Sequence, residues 1–179
     1  IADDDVVELT NLQRQVAHSQ SMIGEPKVVS AQQTLLRLNP DLKITALQKR
    51  LDGANLSEAV SQADLVVDAC DNYTTRFAIN SACIEHGKPL VSGAAIRMEG
   101  QVAVFDSRSP ISPCYQCLYS QGGDEDTSCS ENGVMAPLVG IIGAVQAMEA
   151  IKLLTGIGES LTGRLLLLDA SSLQWREMR

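Results

Sequence analysis

The sequence predicts an α/β fold: a doubly wound, mainly parallel sheet covered by helices on both faces, with antiparallel strands added late in the chain. Three observations carry this expectation. Strand-like and helix-like segments alternate through the first half of the 179 residues, which is the pattern of parallel strands joined by crossover helices. Hydrophobic residues make up 45% but aromatics only 3%, so the core must rest on Val, Ile, Leu and Ala, as in strands buried on both faces. Turn chemistry punctuates the segments: Asn39-Pro40-Asp41 stops one helical pattern and Gly87 closes another.

Taken in order, Ile1-Ala2-Asp3 reads as the end of a strand, and a loop leads from Asp3 to near Gln15. Pro26 to Leu38 is a helix, with Val28, Val29, Ala31, Leu35 and Leu36 among polar residues. Lys43 to Leu47 alternates like a strand, and Leu56 to Ala63 is a short helix. Asp64 to Ala69 is a buried strand ending in Cys70-Asp71-Asn72. Tyr73 to His86 is helical, and Pro89 to Ser92 is the next strand. Gly100 to Phe105 and Arg164 to Leu168 are later strands, the first of them a candidate for antiparallel pairing. A long loop from Asp106 to Asn132 separates them, followed by an apolar helix from Val134 to Leu154. Pro137, Glu149 and Lys152 interrupt that helix, so it reads as a core or dimer-interface helix rather than a membrane span. The expected architecture is thus Rossmann-like, with its ligand edge at the carboxyl ends of the strands.

Composition narrows the function. A net charge of −8 argues against a general nucleic-acid surface. Local cations and helix N-termini can still bind nucleotide phosphates. Five cysteines, an odd number unevenly placed, suit metal-binding or reactive thiols in a cytoplasmic setting better than a disulfide framework. No signal peptide is visible. The chain begins at Ile1, inside a strand end, which leads us to expect a fragment of a longer protein.

Several residues are candidates for chemistry, each with a plainer alternative. Asp3, an acid at a strand end, could bind ribose hydroxyls or simply face solvent. In the run Thr10-Asn11-Leu12-Gln13-Arg14-Gln15, Asn11 and Arg14 could donate to phosphate oxygens. Lys27 opens a helix, where a cation opposes the helix dipole. It fits there if an anion lies between them; otherwise it is a surface lysine. Asp71 follows a buried strand and could hold a magnesium ion bridging phosphates, or could cap the next helix. Cys114-Tyr115-Gln116-Cys117 has the spacing of two zinc ligands, with a redox pair as the alternative. Cys129 lies in an acidic, Ser-rich loop suited to an accessible thiol, or is unused; Cys70 and Cys83 read as buried fillers.

These motifs together resemble the bacterial MoeB/ThiF family of adenylyltransferases related to ubiquitin-activating enzyme. The matching stretches run in family order: Asp3-Asp4-Asp5, Asn11 to Gln15, Pro26-Lys27, Leu38-Asn39-Pro40, Asp68 with Asp71-Asn72, Ser92 to Ala95, Cys114 to Cys117, and Gly133 onward into Gln146 to Lys152. Ser92 to Gln101 and Gly133 to Leu138 look closest to the molybdopterin branch. Leu47 to Leu51 and Ser172 to Arg176 look more like the thiamine branch.

The resemblance implies adenylylation of the C-terminal glycine carboxylate of a ubiquitin-like sulfur carrier, using ATP and Mg2+. It implies that Asp3 binds the ribose, that Asn11, Arg14 and Lys27 hold the phosphates, and that Asp71 organises magnesium. Thr10, Leu12, Gln13 and Asn72 are placed around the nucleotide. Cys114 and Cys117 would supply half of a structural Zn2+ site, and Cys129 matches the family's active cysteine, which takes part in sulfur transfer in the thiamine branch. A homodimer and a sulfurtransferase or cysteine desulfurase partner are also implied, without nucleic acid or membrane. By the same comparison, residues 1–179 form a single domain fragment that lacks an N-terminal strand and glycine loop and a C-terminal segment with a second cysteine pair. Two other readings stand beside this one: a relative acting on a different carboxylate, such as that of a modified tRNA, and a non-catalytic nucleotide-binding scaffold.

Overall fold

A computed structural model describes residues 1–119 and 133–179 and divides them into two units, Ile1–Leu51 and Asp52–Arg179. In the first unit, helix α1 (Lys27–Leu38) begins directly after Pro26 and ends at Asn39, whose extended backbone breaks the helical run before Pro40. Val28 of α1 and Val7 of the preceding segment are fully buried and form the centre of the unit. That segment is held by an antiparallel bridge between Val6 and Pro26 and by two short 3-10 turns, Leu9–Asn11 and Gln20–Met22. The expected strand over Lys43–Leu47 is reduced to one parallel bridge between Ala2 and Leu47. Its polar backbone is satisfied piecemeal rather than by a ladder. Leu47 N–H donates to Ile1 O, Asp3 N–H donates to Leu47 O, and Ile44 O accepts from the side chain of Gln32.

The second unit carries helices α2 (Gly53–Ser61), α3 (Tyr73–Glu85), α4 (Tyr115–Leu118) and α5 (Ala136–Thr155), with strands β1 (Val66–Asp68), β2 (Leu90–Ile96), β3 (Glu99–Phe105), β4 (Leu165–Asp169) and β5 (Gln174–Met178). The strands form one sheet in the order β1-β2-β3-β4-β5. β1 and β2 are parallel, and the three remaining pairings are antiparallel. The α/β class and the later antiparallel strands hold. The mainly parallel balance does not hold among the described residues: the sheet is mixed. Only β1 and β2 are linked by a crossover helix, α3. β2 and β3 are joined by a tight connection around Arg97 (φ 51°), which forces an antiparallel hairpin.

Register sorts the sheet into two faces. Val91 and Gly93 of β2, Gly100, Val102 and Val104 of β3, and Leu166 and Leu168 of β4 share one face. Helix α5 covers it, placing Leu138 and Ile142 in a core with Val91, Val102, Val104, Leu161 and Leu168. The helix is long and apolar enough to match a membrane span by length and composition. Its inward stripe also contains buried Gln146 and Glu149. Glu149 accepts from Leu161 N–H at 2.7 Å and is ion-paired with Lys152. Such buried polar groups match a helix seated on a sheet. Gly156, at φ 71°, ends it in the left-handed conformation that favours glycine.

At Gly93 the side chain of Gln146 of α5 lies directly against the sheet. A Cβ there would fall 2.3 Å from Gln146 Cδ. Gln146 donates to Asp68 O at 2.8 Å and Val91 O at 3.3 Å, so it ties α5 to the end of β1. Gly93→Ala must drive Gln146 off these acceptors. We expect it to cost about 2–3 kcal/mol, measured by urea unfolding; a loss below about 0.5 kcal/mol would show that Gln146 repacks freely.

β5 is not foreseen by its sequence, because Gln174 to Met178 are all exposed and show no apolar alternation. The turn before it does carry a signal. Asp169 accepts from Ser171 N–H, Ser171 Oγ and Ser172 Oγ at 2.9, 2.5 and 2.9 Å, an Asx-type turn that reverses the chain. These hydroxyl and amide bonds hold the Asp169 carboxyl below its ordinary pKa.

Candidate active site

The opposite face of the sheet carries Ser92, Ala94 and Ile96 of β2, Glu99 and Gln101 of β3, Leu167 and Asp169 of β4, and Arg176 of β5. α3 and α4 stand over its first strands. Between these helices and the open strands lies a cavity of about 500 Å3, walled by Asp71, Asn72, Tyr73, Arg76, Tyr115 and Tyr119 on one side and by Ala94, Glu99, Gln101, Leu167, Asp169 and Arg176 on the other. It opens at the carboxyl end of β1, where α/β sheets bind ligands.

Asp71 is exposed at this cavity. The competing role foreseen for it, capping the next helix, belongs to its neighbour. Asn72 is the N-cap of α3, and its side-chain oxygen accepts from Thr75 N–H at 2.8 Å. That leaves the Asp71 carboxylate for a ligand and commits the Asn72 oxygen to the fold.

The inner stripe of α3 holds two polar residues, Arg76 and Asn80, that the sequence did not single out. Arg76, Ile79, Asn80 and Cys83 are all buried and follow the i, i+3, i+4, i+7 spacing of a helix face turned to the core. Two polar residues on such a stripe must be satisfied internally. Arg76 donates to Asp68 Oδ2 (3.3 Å), Ser92 Oγ (3.2 Å), Gly93 O (3.0 Å) and Cys70 O. Asn80 Oδ1 accepts from Tyr115 N–H at 2.9 Å, which anchors α4. That polar interruption of a buried stripe is the signal by which the sequence could have disclosed both.

Aromatic rings gather beside them. Phe77 and Phe105 each meet Tyr115 edge-on, at centroid distances of 5.4 and 5.8 Å, and Tyr119 lies 4.5 Å from Tyr115. Burial pushes the Tyr115 phenol up to about 12, so it stays protonated. Burial, followed by the Asp68 charge, pushes Cys70 up to about 12, and burial does the same to Cys83. Both thiols therefore stay protonated; Cys83 is buried as expected of a filler, whereas Cys70 is only half-buried.

Cys114 and Cys117 sit at the N-cap and third position of the one-turn helix α4, with their sulfurs 3.1 Å apart. Burial raises the Cys114 thiol, but hydrogen bonds from the Cys117 side chain and from the Cys117 and Gln116 backbones outweigh this and bring it below its ordinary pKa. A thiol drawn toward thiolate suits a metal donor. Zinc–sulfur bonds of about 2.3 Å at tetrahedral angles set sulfurs about 3.8 Å apart, so the pair would chelate zinc after a small opening. Among the described residues, the one group of three or more metal-type ligands is Asp3, Asp4 and Asp5; zinc at Cys114 and Cys117 therefore needs two further ligands. Cys129 lies outside the described residues.

In the first unit, Asp3 accepts from Asp5 N–H at 2.8 Å. Lys27 Nζ lies 2.6 Å from Asp5 Oδ2 with its side chain mostly covered. Lys27 thus already has an anionic partner in Asp5, and its side chain is more covered than that of a solvated surface lysine. Asn11 is buried and its Oδ1 accepts from Glu8 N–H at 3.0 Å, which leaves its amide N–H groups as the donors. Arg14 reaches Thr10 O at 3.3 Å, and Thr10 Oγ1 reaches Glu8 Oε2 at 3.3 Å; Leu12 is half-buried and Gln13 exposed. His18 bonds Ser30 Oγ through Nδ1 at 2.9 Å. Burial, then the Lys27 charge, push its imidazole below the usual value, with Asp3 opposing.

A family model described as the ThiF family matches residues 1–179. The molybdopterin-synthase adenylyltransferase of Escherichia coli (strain K12) is 48% identical over 179 residues, all of this chain and 72% of that protein. The sulfur carrier protein ThiS adenylyltransferase of the same organism is 44% identical over 178 residues, 99% of this chain and 70% of that protein. Among solved structures, E. coli MccB with ATP superposes with a TM-score of 0.83 at 18% identity, covering 99% of this chain and 55% of that chain. At that identity the likeness establishes the shared fold.

Proposed function

Since this chain belongs to the ThiF family, we propose that it activates the C-terminal carboxylate of a ubiquitin-like sulfur carrier by adenylylation. The observation that carries this reading is the 48% identity over the whole chain to an adenylyltransferase. The cavity beside Asp71 supports it, as a place for an extended tail at the carboxyl end of β1. The chain is an enzyme of the adenylyltransferase type. A carboxylate oxygen attacks the α-phosphorus of ATP, the bond to the bridging oxygen breaks, and pyrophosphate leaves. This chemistry requires alignment and charge neutralisation more than proton transfer. As the family resemblance implies, Asn11 and Arg14 bind the phosphates, Lys27 joins them on exchanging its Asp5 partner for a phosphate, and Asp3 binds the ribose. Asp71 fits a magnesium ligand, since its carboxylate is exposed and not used as a cap; the ion would supply charge neutralisation at the α-phosphate.

The test is carrier-dependent exchange of labelled pyrophosphate into ATP, with each carrier type supplied to the full chain. Exchange with a molybdopterin-type carrier alone assigns that branch. Exchange with a thiamine-type carrier assigns the other, in which Cys129 takes part in sulfur transfer. Identities of 48% and 44% to the two kinds of relative leave this choice to experiment. No exchange with any carrier overturns the enzyme reading in favour of a nucleotide-binding scaffold.

Two further expectations follow from particular residues. Cys114 and Cys117 hold zinc together with a second cysteine pair, so atomic absorption on the full protein should find about one zinc per chain. Cys117→Ser should lose most of it, and a zinc-free wild type refutes the site. Outward on α5, Ile141, Met148, Ile151 and Leu154 are 36–60% exposed and form an apolar stripe suited to a homodimer. Light scattering should give twice the chain mass at micromolar concentration; a monomer refutes it.

A further inference from the structure

We propose that Arg76 is a positioning residue for adenylyl transfer, holding the turn after β1 so that Asp71 faces the cavity and binds a divalent cation. The inference rests on the reading of Asp71 as a cation ligand and adds the group that aims it.

The geometry is that of a clamp. One guanidinium nitrogen, Nη1, donates to Asp68 Oδ2 and Ser92 Oγ, at 3.3 and 3.2 Å. The other, Nη2, donates to Gly93 O at 3.0 Å and to Cys70 O. Ser92 Oγ donates in turn to Asp68 Oδ2 at 3.1 Å, and Asp68 Oδ1 accepts from Cys70 N–H at 2.9 Å. Asp68, Ser92 and Arg76 are 1, 5 and 6% exposed, so water does not compete for these bonds. The bonds link the ends of the two parallel strands and hold both the N–H and the C=O of Cys70. The next residue is Asp71. With the Cys70 peptide held at both ends, the direction in which Asp71 leaves the turn is fixed by Arg76 and Asp68 together, while Asn72 is fixed by its cap on Thr75.

A core-filling role alone does not call for this arrangement. An ion pair with Asp68 needs one nitrogen. The second nitrogen is spent on two backbone carbonyls, Cys70 O and Gly93 O, each one residue before a cavity-lining residue, Asp71 and Ala94. A planar fork with fixed donors can span acceptors on both strands, whereas a lysine, with three donors on a single atom, keeps the charge but cannot span them. Arg76→Lys therefore separates charge compensation from positioning.

The experiment measures Mn2+ binding to the full protein by electron paramagnetic resonance in the presence of a non-hydrolysable ATP analogue, alongside the Mg2+ dependence of pyrophosphate exchange. Groups that orient a metal ligand change metal affinity by about 10- to 100-fold when lost. Arg76→Lys is expected to weaken Mn2+ binding about tenfold and raise the Mg2+ needed for half-maximal exchange in parallel, with exchange at saturating Mg2+ within about threefold of wild type. Unchanged Mn2+ affinity in Arg76→Lys, with Asp71→Asn clearly weakened, overturns the positioning role and leaves the Asp71 site standing. Unchanged affinity in Asp71→Asn overturns the site itself. If circular dichroism shows that Arg76→Lys does not fold, Ser92→Ala carries the test. It removes one acceptor of the clamp, and is expected to weaken Mn2+ binding about threefold with a native spectrum; no weakening counts against the proposal.

Discussion

Replacing Asp71 by Asn is expected to lower carrier-dependent pyrophosphate exchange at least about a hundredfold, on the order of 3 kcal/mol of transition-state stabilisation. The substitution keeps size and shape and removes one negative charge. Folding should not notice, because Asp71 is exposed and the α3 cap is made by Asn72. Magnesium should notice, because it is held at such sites by one or two carboxylates and an amide replaces them poorly. Cys129→Ala is the matched control: no thiol takes part in forming an acyl adenylate, so exchange should stay within about twofold of wild type. Wild-type exchange in Asp71→Asn would sink the assignment of the site. A loss in Cys129→Ala equal to that in Asp71→Asn would place the cysteine in the first step, against this mechanism.

The sequence disclosed those parts of the molecule whose local chemistry matches their place. α1 and α3 could be read because Pro26, Asn39 and Gly87 punctuate them and because propensity and packing agree. β1 to β4 could be read as short apolar runs between turns. The pairing of Ala2 with Leu47 could not be read as a bridge rather than a strand, since side-chain alternation says nothing about how many backbone bonds form. β5 was hidden because both its faces are exposed, leaving no hydrophobic period. At the candidate site, the residues that present charge to solvent were visible. Those that act from within were not. Arg76 and Asn80 look like ordinary helix-surface residues until their phase with Ile79 and Cys83 is noticed. The cap, one of two roles open to Asp71 from sequence, falls one residue later on Asn72, since Asp and Asn both cap well and only geometry separates them.

Removing the carboxylate of Asp68 is expected to destabilise the second unit by about 3–5 kcal/mol, the cost of leaving a buried charge without its partner. Asp68 is 1% exposed and answers three donors: Arg76 Nη1, Ser92 Oγ and Cys70 N–H. Asp68→Ala leaves the Arg76 guanidinium, 6% exposed in the wild type, with two carbonyls and one hydroxyl as its hydrogen-bond partners and without the carboxylate it pairs with. Asp68→Asn should cost less, about 1–3 kcal/mol, because an amide oxygen still accepts from Cys70 N–H or from Arg76. Pairing Asp68→Ala with Arg76→Met closes a four-cornered cycle that asks whether the two act as a unit: the double variant should be more stable than the sum of the single losses predicts, by roughly 1–3 kcal/mol of coupling. Urea titrations followed by circular dichroism give all four stabilities. Additive losses, or an Asp68→Ala cost below about 1 kcal/mol, would mean that the network at the end of β1 is hydrated and that the clamp on the Asp71 turn is far weaker than its geometry implies.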